Sequence, residues 1–253
     1  MKLSHKLCGA ALVAAAGVAL AAPNTTKAVD NAKTGTGHIE FTFDTGTSGV
    51  IPTDPGVTDG TTITNLPSVT NPGEFGIIAI TPLEFESHDV LTANTKRDYD
   101  ASLFKANPGS TEAGTEEFDV QNFVKYQDLR TQENHAYKLS ATLTQQFTDT
   151  ASGYALNGSS ITYKNAHLTQ TGSPELTPDA SELTTQGTIS EATPTFDFLS
   201  NTGVDGKGYG QFELNFGDKT TGNESVTMNI PTSTAVGAGD YNAVITWTLS
   251  ETL

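Results

Sequence analysis

Catalysis needs nucleophiles, bases or metal ligands at spacings that bring them together, and this 253-residue chain offers few. His38, His88, His135 and His167 are scattered, none at i+2 or i+4 from another, so they do not build the paired ligands of a zinc site. The one cysteine, Cys8, sits in an apolar N-terminal run and brings neither a disulfide nor thiol chemistry to the rest of the chain. Acids are abundant, 29 Asp plus Glu, so carboxylate pairs arise by chance, while glycoside hydrolysis demands a fixed separation that spacing does not reveal. Neither Gly-x-Ser-x-Gly nor His-Glu-x-x-His occurs. The segment Asp54 to Gly60 lacks the regular oxygen-ligand spacing of a calcium loop. Gly206-Lys-Gly208-Tyr-Gly210 leads into a strand pattern and not into a helix N-terminus, so it reads as a hairpin turn and not as a phosphate cradle. No catalytic residue, metal or cofactor is expected, and the chain reads as a non-enzyme.

Candidate binding residues stand out more clearly. Asp128 and Arg130 fall at a strand-to-loop junction, where the Asp either fixes a turn and pairs with the Arg at the surface, or leaves Arg130 to grip a carboxylate with its planar fork. Tyr137 and Leu139 follow on one face of an alternating strand. Trp247 and Leu249 share a face near the C-terminus, as core residues or as an aromatic platform for sugar rings, and both roles hold together if they shape a groove from beneath.

These residues need strands to position them. Tyr137, Leu139, Ala141 and Leu143 alternate with Lys138, Ser140, Thr142 and Thr144, the pattern of a half-buried strand. Tyr241, Ala243, Ile245, Trp247 and Leu249 alternate with Asn242, Val244, Thr246, Thr248 and Ser250 in the same way, which turns the sole Trp toward the core. Further strands are predicted near 75–80, 83–85, 89–91, 118–126, 160–169, 187–190, 210–215 and 225–230, separated by Gly, Pro, Asn or Asp. Helical periodicity is weak throughout; 96–105 is the one stretch that could make a turn of helix. The predicted fold is all-β, an antiparallel β-sandwich over 73–253, preceded by a flexible Thr/Gly/Pro-rich linker over 29–72. Within that linker Ile39, Phe41 and Phe43 alternate as one short strand, either an edge strand of the domain or a mobile piece.

Lys2 and Lys6 precede an apolar, Ala-rich run from Leu7 to Ala22, the layout of an export signal over 1–28, with cleavage expected after Ala21, Ala22 or Ala28. The run is shorter than the ~20 residues that span a bilayer, so membrane insertion is not expected. Its removal takes away Lys2, Lys6 and Lys27 and no acid, leaving 10 basic against 29 acidic side chains. So acidic a chain repels nucleic acid and anionic membranes, and excludes attachment by bulk charge to an anionic polymer.

The C-terminal strand Tyr241-Asn-Ala-Val-Ile-Thr-Trp-Thr-Leu, with Trp247-Thr-Leu249 four residues from the end, resembles the closing signature of the WxL family of Gram-positive surface proteins. About a hundred residues upstream, Asp128-Leu-Arg130 followed by Tyr137-Lys-Leu139 is similar to the family's second motif, with Tyr137 where a Trp is expected. Phe75-Gly76 and Val226-Thr-Met-Asn-Ile-Pro231 also look alike. The resemblance implies a secreted protein held non-covalently on the cell wall, with peptidoglycan or another wall polymer as ligand and other surface proteins of the same system as partners. For such a ligand the candidate binding residues are Trp247, Leu249, Tyr137, Leu139, Asp128 and Arg130, and Arg130, one of few cations in an acidic chain, suits a carboxylate of a wall peptide. A rival role is an adhesin that grips a host matrix protein through the sandwich loops.

Overall fold

The computed structural model describes residues 37–42, 46, 50–55, 60–109 and 116–251; the expected export signal, Cys8 and Phe43 lie outside them. The chain forms two units, Met1–Phe41 and Thr42–Leu253. In the first, Ile39 and Phe41 are exposed and carry no strand.

The second unit is all-β and antiparallel throughout, as its alternating sequence requires. Its strands are β1 (Phe75–Ile80), β2 (Asp98–Asp100), β3 (Phe104–Ala106), β4 (Phe118–Val120), β5 (Asn122–Asp128), β6 (Tyr137–Asp149) and β7 (Ser160–Tyr163). They continue as β8 (Ala166–Thr171), β9 (Gly187–Ser190), β10 (Thr195–Asn201), β11 (Gly210–Phe216), β12 (Val226–Asn229) and β13 (Tyr241–Glu251). One sheet has the order β1-β5-β11-β8, a second β10-β6-β13, a third β2-β12-β7-β9, and β3 and β4 form a ribbon.

The main core lies where the inner faces of the three larger sheets meet. Tyr126 and Phe212, paired across β5 and β11, stack at 5.4 Å, and Tyr137 of β6 meets Tyr126 edge-on at 5.7 Å. Farther along, Phe216 of β11, Tyr163 of β7, Phe198 of β10 and Trp247 of β13 form one aromatic cluster with centroids 4.6 to 5.9 Å apart. A second core packs Phe123 of β5 with Val50, Ile63, Leu66, Ile78, Ala79, Ala106 and Val120. Strand β5 is therefore buried on both faces over its whole length.

The packed body starts before Gly73. Thr53 bridges Thr62, Ile63 bridges Pro108 and Val69 bridges Ala79, so much of the Thr- and Pro-rich stretch is tied to the sheet, with its few apolar side chains filling the second core. The polar face of β5 and β11 carries a buried ion pair: Lys125 Nζ lies 3.0 Å from Glu213 Oε1, and Thr169 Oγ1 donates to Glu213 Oε2 at 3.1 Å.

Several local expectations change. The stretch 96–105 holds β2 and most of β3, not a helix; a one-turn 3-10 segment, Thr92–Asn94, precedes it. Residues 81–90 form no strand but an extended strap, whose Leu83 and Phe85 still point into the main core. Strand β10 was hidden because a bulge between Asp197 and Leu199 turns both Phe198 and Leu199 inward and breaks the two-residue period. The glycines near 206–210 do not make a hairpin, because β10 and β11 belong to different sheets. The chain crosses between them through a 3-10 turn at Val204–Gly206 with Asp205, Gly206 and Gly208 at positive φ. Gly208 has a packing reason as well: a Cβ there would meet Asn201 Nδ2 at 2.0 Å and Tyr137 Cε1 at 2.9 Å.

Candidate functional site

Asp128 ends β5 with its side chain fully buried, so its carboxylate must find donors inside the protein. Arg130, two residues on, supplies most of them: its backbone N–H donates to Asp128 Oδ1 at 3.2 Å, Nε to Oδ1 at 2.9 Å and Nη2 to Oδ2 at 2.7 Å. His135 Nδ1 lies 3.1 Å from Oδ2. Burial opposes ionisation of Asp128, but the hydrogen bonds from the Arg130 side chain and backbone, with the His135 ring close by, outweigh it and hold the carboxyl below the usual carboxylate range. Arg130 also covers the Phe75 ring at 3.9 Å and pairs through Nη1 with Glu251 of β13.

The two sequence motifs meet here. Strands β6 and β13 pair so that Leu249 faces Leu139, Trp247 faces Ala141 and Glu251 faces Tyr137. Asp128, Arg130, Tyr137, Leu139, Leu249 and Trp247 thus belong to one contiguous structure, a clasp that holds the last strand against β6. Tyr137 and Leu139 have no exposed surface, and Arg130 keeps only 14% of its side chain exposed with its fork already engaged. Tyr137 and Tyr126 share a long hydroxyl contact of 3.4 Å, and burial pushes both phenols well above their ordinary pKa, so both stay neutral. Chemically the clasp positions; it presents little surface to a ligand.

Trp247 is different, because it lies both in the core and on a surface. Its ring packs on Phe198, Phe216 and Tyr163, yet 8% of the residue remains exposed, at the floor of a groove of about 980 Å³. One wall is the inward face of β13, where Tyr241, Ala243 and Ile245 stand half-buried. The opposite wall is the strap, with Leu83 and Phe85, and Phe85 meets Phe147 edge-on at 5.9 Å. The strap is held by Ser102, whose N–H donates to Glu84 O at 2.8 Å, and by Thr81, whose N–H donates to Phe123 O at 3.1 Å. Sequence patterning points to the face of β13 but assigns no site role to the strap, Phe75, Tyr163 or Glu251, which reach the site from distant segments, or to His135, which lies in the loop between Arg130 and Tyr137.

Among the described residues no group of His, Cys, Asp and Glu could hold a metal, and no helix is long and apolar enough to cross a membrane. Comparison with curated proteins and with solved structures found no match. A family model described as "WxL domain surface cell wall-binding" matches residues 27–252.

Proposed function

The chain belongs to the WxL family of surface cell wall-binding domains, a wall-binding and not a catalytic family, and is thus an extracellular, wall-associated protein; from that premise we propose that peptidoglycan seated in the Trp247 groove holds it there without a covalent bond. The observation that carries this reading is the double role of β13. Its far end is locked by the clasp of Asp128, Arg130, Leu139 and Glu251, and its inward face walls the groove. Trp247, between the two, borders the groove with its small exposed part while its ring packs in the core. In this reading Trp247 touches the ligand, whereas Asp128, Arg130, Tyr137, Leu139 and Leu249 are positioning residues. Residues 1–28 serve as the cleaved export signal, and other surface proteins of the same system join the protein on the wall.

The test is sedimentation of the purified protein with Gram-positive walls before and after acid stripping of secondary polymers. Retention on stripped walls supports peptidoglycan as the ligand. Retention on intact walls alone points to a secondary polymer, and retention on neither, with binding to immobilised host matrix protein, would replace this proposal with the adhesin role.

A further inference from the structure

The groove has a polar character that its apolar walls conceal. Four carboxylates line it, Glu84, Glu86 and Asp89 from the strap and Asp240 from the loop before β13, and no Lys or Arg is among the lining residues. Among the described residues none of the four is in an ion pair. Their contacts are with neutral donors: Glu84 accepts the Glu86 N–H at 2.8 Å, Asp89 the Leu91 N–H at 2.8 Å and Glu86 the Ser102 hydroxyl. Each carboxylate has lone pairs to spare.

Deeper in, two buried polar atoms that line the same groove lack a partner. Asn122, 1% exposed, donates its Nδ2 to Ser102 O at 3.1 Å, but its Oδ1 receives no hydrogen bond. The Tyr163 hydroxyl, in a residue also 1% exposed, has none either. Buried polar groups are nearly always satisfied, so an acceptor and a hydroxyl left open in one groove mark a place where a ligand supplies the missing bonds. Carboxylates and the Asn122 oxygen accept and never donate, and a phenol accepts as well as donates. The occupant must then be rich in N–H donors, positively charged at the rim and apolar along the walls. A phosphate-bearing polymer has the wrong sign, and a neutral glycan gives the carboxylates no charge to meet.

We propose that the groove binds an amine-bearing peptide of the cell wall, its free ammonium held by the rim carboxylates and its N–H groups by Asn122 Oδ1 and the Tyr163 hydroxyl. This deepens the attachment reading and rests on it: the peptide, not the glycan, is what the groove grips. Charge complementarity of this kind selects among wall polymers that would otherwise share the aromatic floor.

Two experiments test it with the full chain. Calorimetric titration with a soluble wall tetrapeptide carrying a free lysine ε-amine, and with the same peptide N-acetylated, should show binding that weakens roughly tenfold or more on acetylation, the value of a charge-assisted hydrogen bond. Equal affinity for the two forms, or no binding of either, overturns the proposal. Sedimentation with walls treated with acetic anhydride should show the same loss, while undiminished retention on acetylated walls would leave attachment standing and overturn the peptide as its ligand. If the free peptide binds but untreated walls do not retain the protein, the attachment reading fails and the groove assignment survives. The variant Tyr163→Phe separates binding from folding: its melting temperature should hold or rise, since it removes an unpaired buried hydroxyl, while peptide affinity falls several-fold. Unchanged affinity in a folded Tyr163→Phe protein removes that hydroxyl from the site and counts against the proposal.

Discussion

Replacing Trp247 with Ala separates a core anchor from a surface contact. A Trp side chain buries on the order of 200 Å², which at about 25 cal/mol per Å² gives about 5 kcal/mol as an upper figure for its removal. Its contacts with Phe198 at 5.3 Å and with Phe216 and Tyr163 at 5.9 Å place the ring in aromatic geometry, worth about 0.5 to 1.5 kcal/mol per pair beyond area. Against this, the residue borders a groove of about 980 Å³, so water and the strap can fill the space left behind and soften the cavity term. The expected cost is about 3 to 4 kcal/mol, a fall in Tm of roughly 6 to 16 °C for a domain of this size. Differential scanning calorimetry, with chemical denaturation to check for two-state unfolding, measures it, and Trp247→Phe should recover more than half. A Trp247→Ala protein that melts within about 2 °C of the parent would refute the aromatic-cluster argument and make Trp247 a ligand contact alone.

Arg130→Ala leaves Asp128 buried without its fork, and should cost about 2 to 4 kcal/mol, between an exposed and a buried broken pair; Arg130→Lys should recover only part, because one ammonium cannot serve both carboxyl oxygens, Glu251 and the Phe75 ring. Urea titrations of the two variants give both values, and a parent-like midpoint for Arg130→Ala would remove the clasp from the argument. Glu213→Gln strands Lys125 inside the sheet and should cost about 3 to 5 kcal/mol, whereas Lys125→Met combined with Glu213→Leu should restore most of it. Acid should weaken the fold in a defined window. The depressed carboxyls of Asp128 and of Asp218, held to about 2 by the Thr221 and Thr220 N–H groups, stabilise fully above the unfolded value of about 3.9, and that stability drains as pH falls through their folded values. A Tm flat from pH 5 to pH 2 would contradict this.

Strand identity was legible because side-chain alternation is a local property, and burying one face of a strand is enough to select it. The face Tyr241, Ala243, Ile245, Trp247, Leu249 could be read from spacing alone, and so could β6. The acidic balance and the absence of any catalytic or metal-binding pattern are equally local facts. What spacing could not carry is which face meets which. That Leu249 lies opposite Leu139, and that Glu251 completes the pairing of Arg130, depends on register between strands a hundred residues apart. Arg130 read alone is either a surface partner of Asp128 or a cation for a ligand carboxylate; in the fold its fork is engaged by Asp128 and largely buried, because a fully buried carboxylate needs its donors nearby. Ile63 and Leu66 are isolated in a Thr- and Pro-rich stretch and become core only because β5 has a second face to cover. The strap reads in sequence as short strands near 83–85 and 89–91, yet it pairs with no sheet and instead lines the groove together with Trp247, since two apolar anchors and a few backbone hydrogen bonds are enough to hold an extended chain in place. Local periodicity chose the strands, and long-range pairing, which no short window of sequence encodes, decided the site.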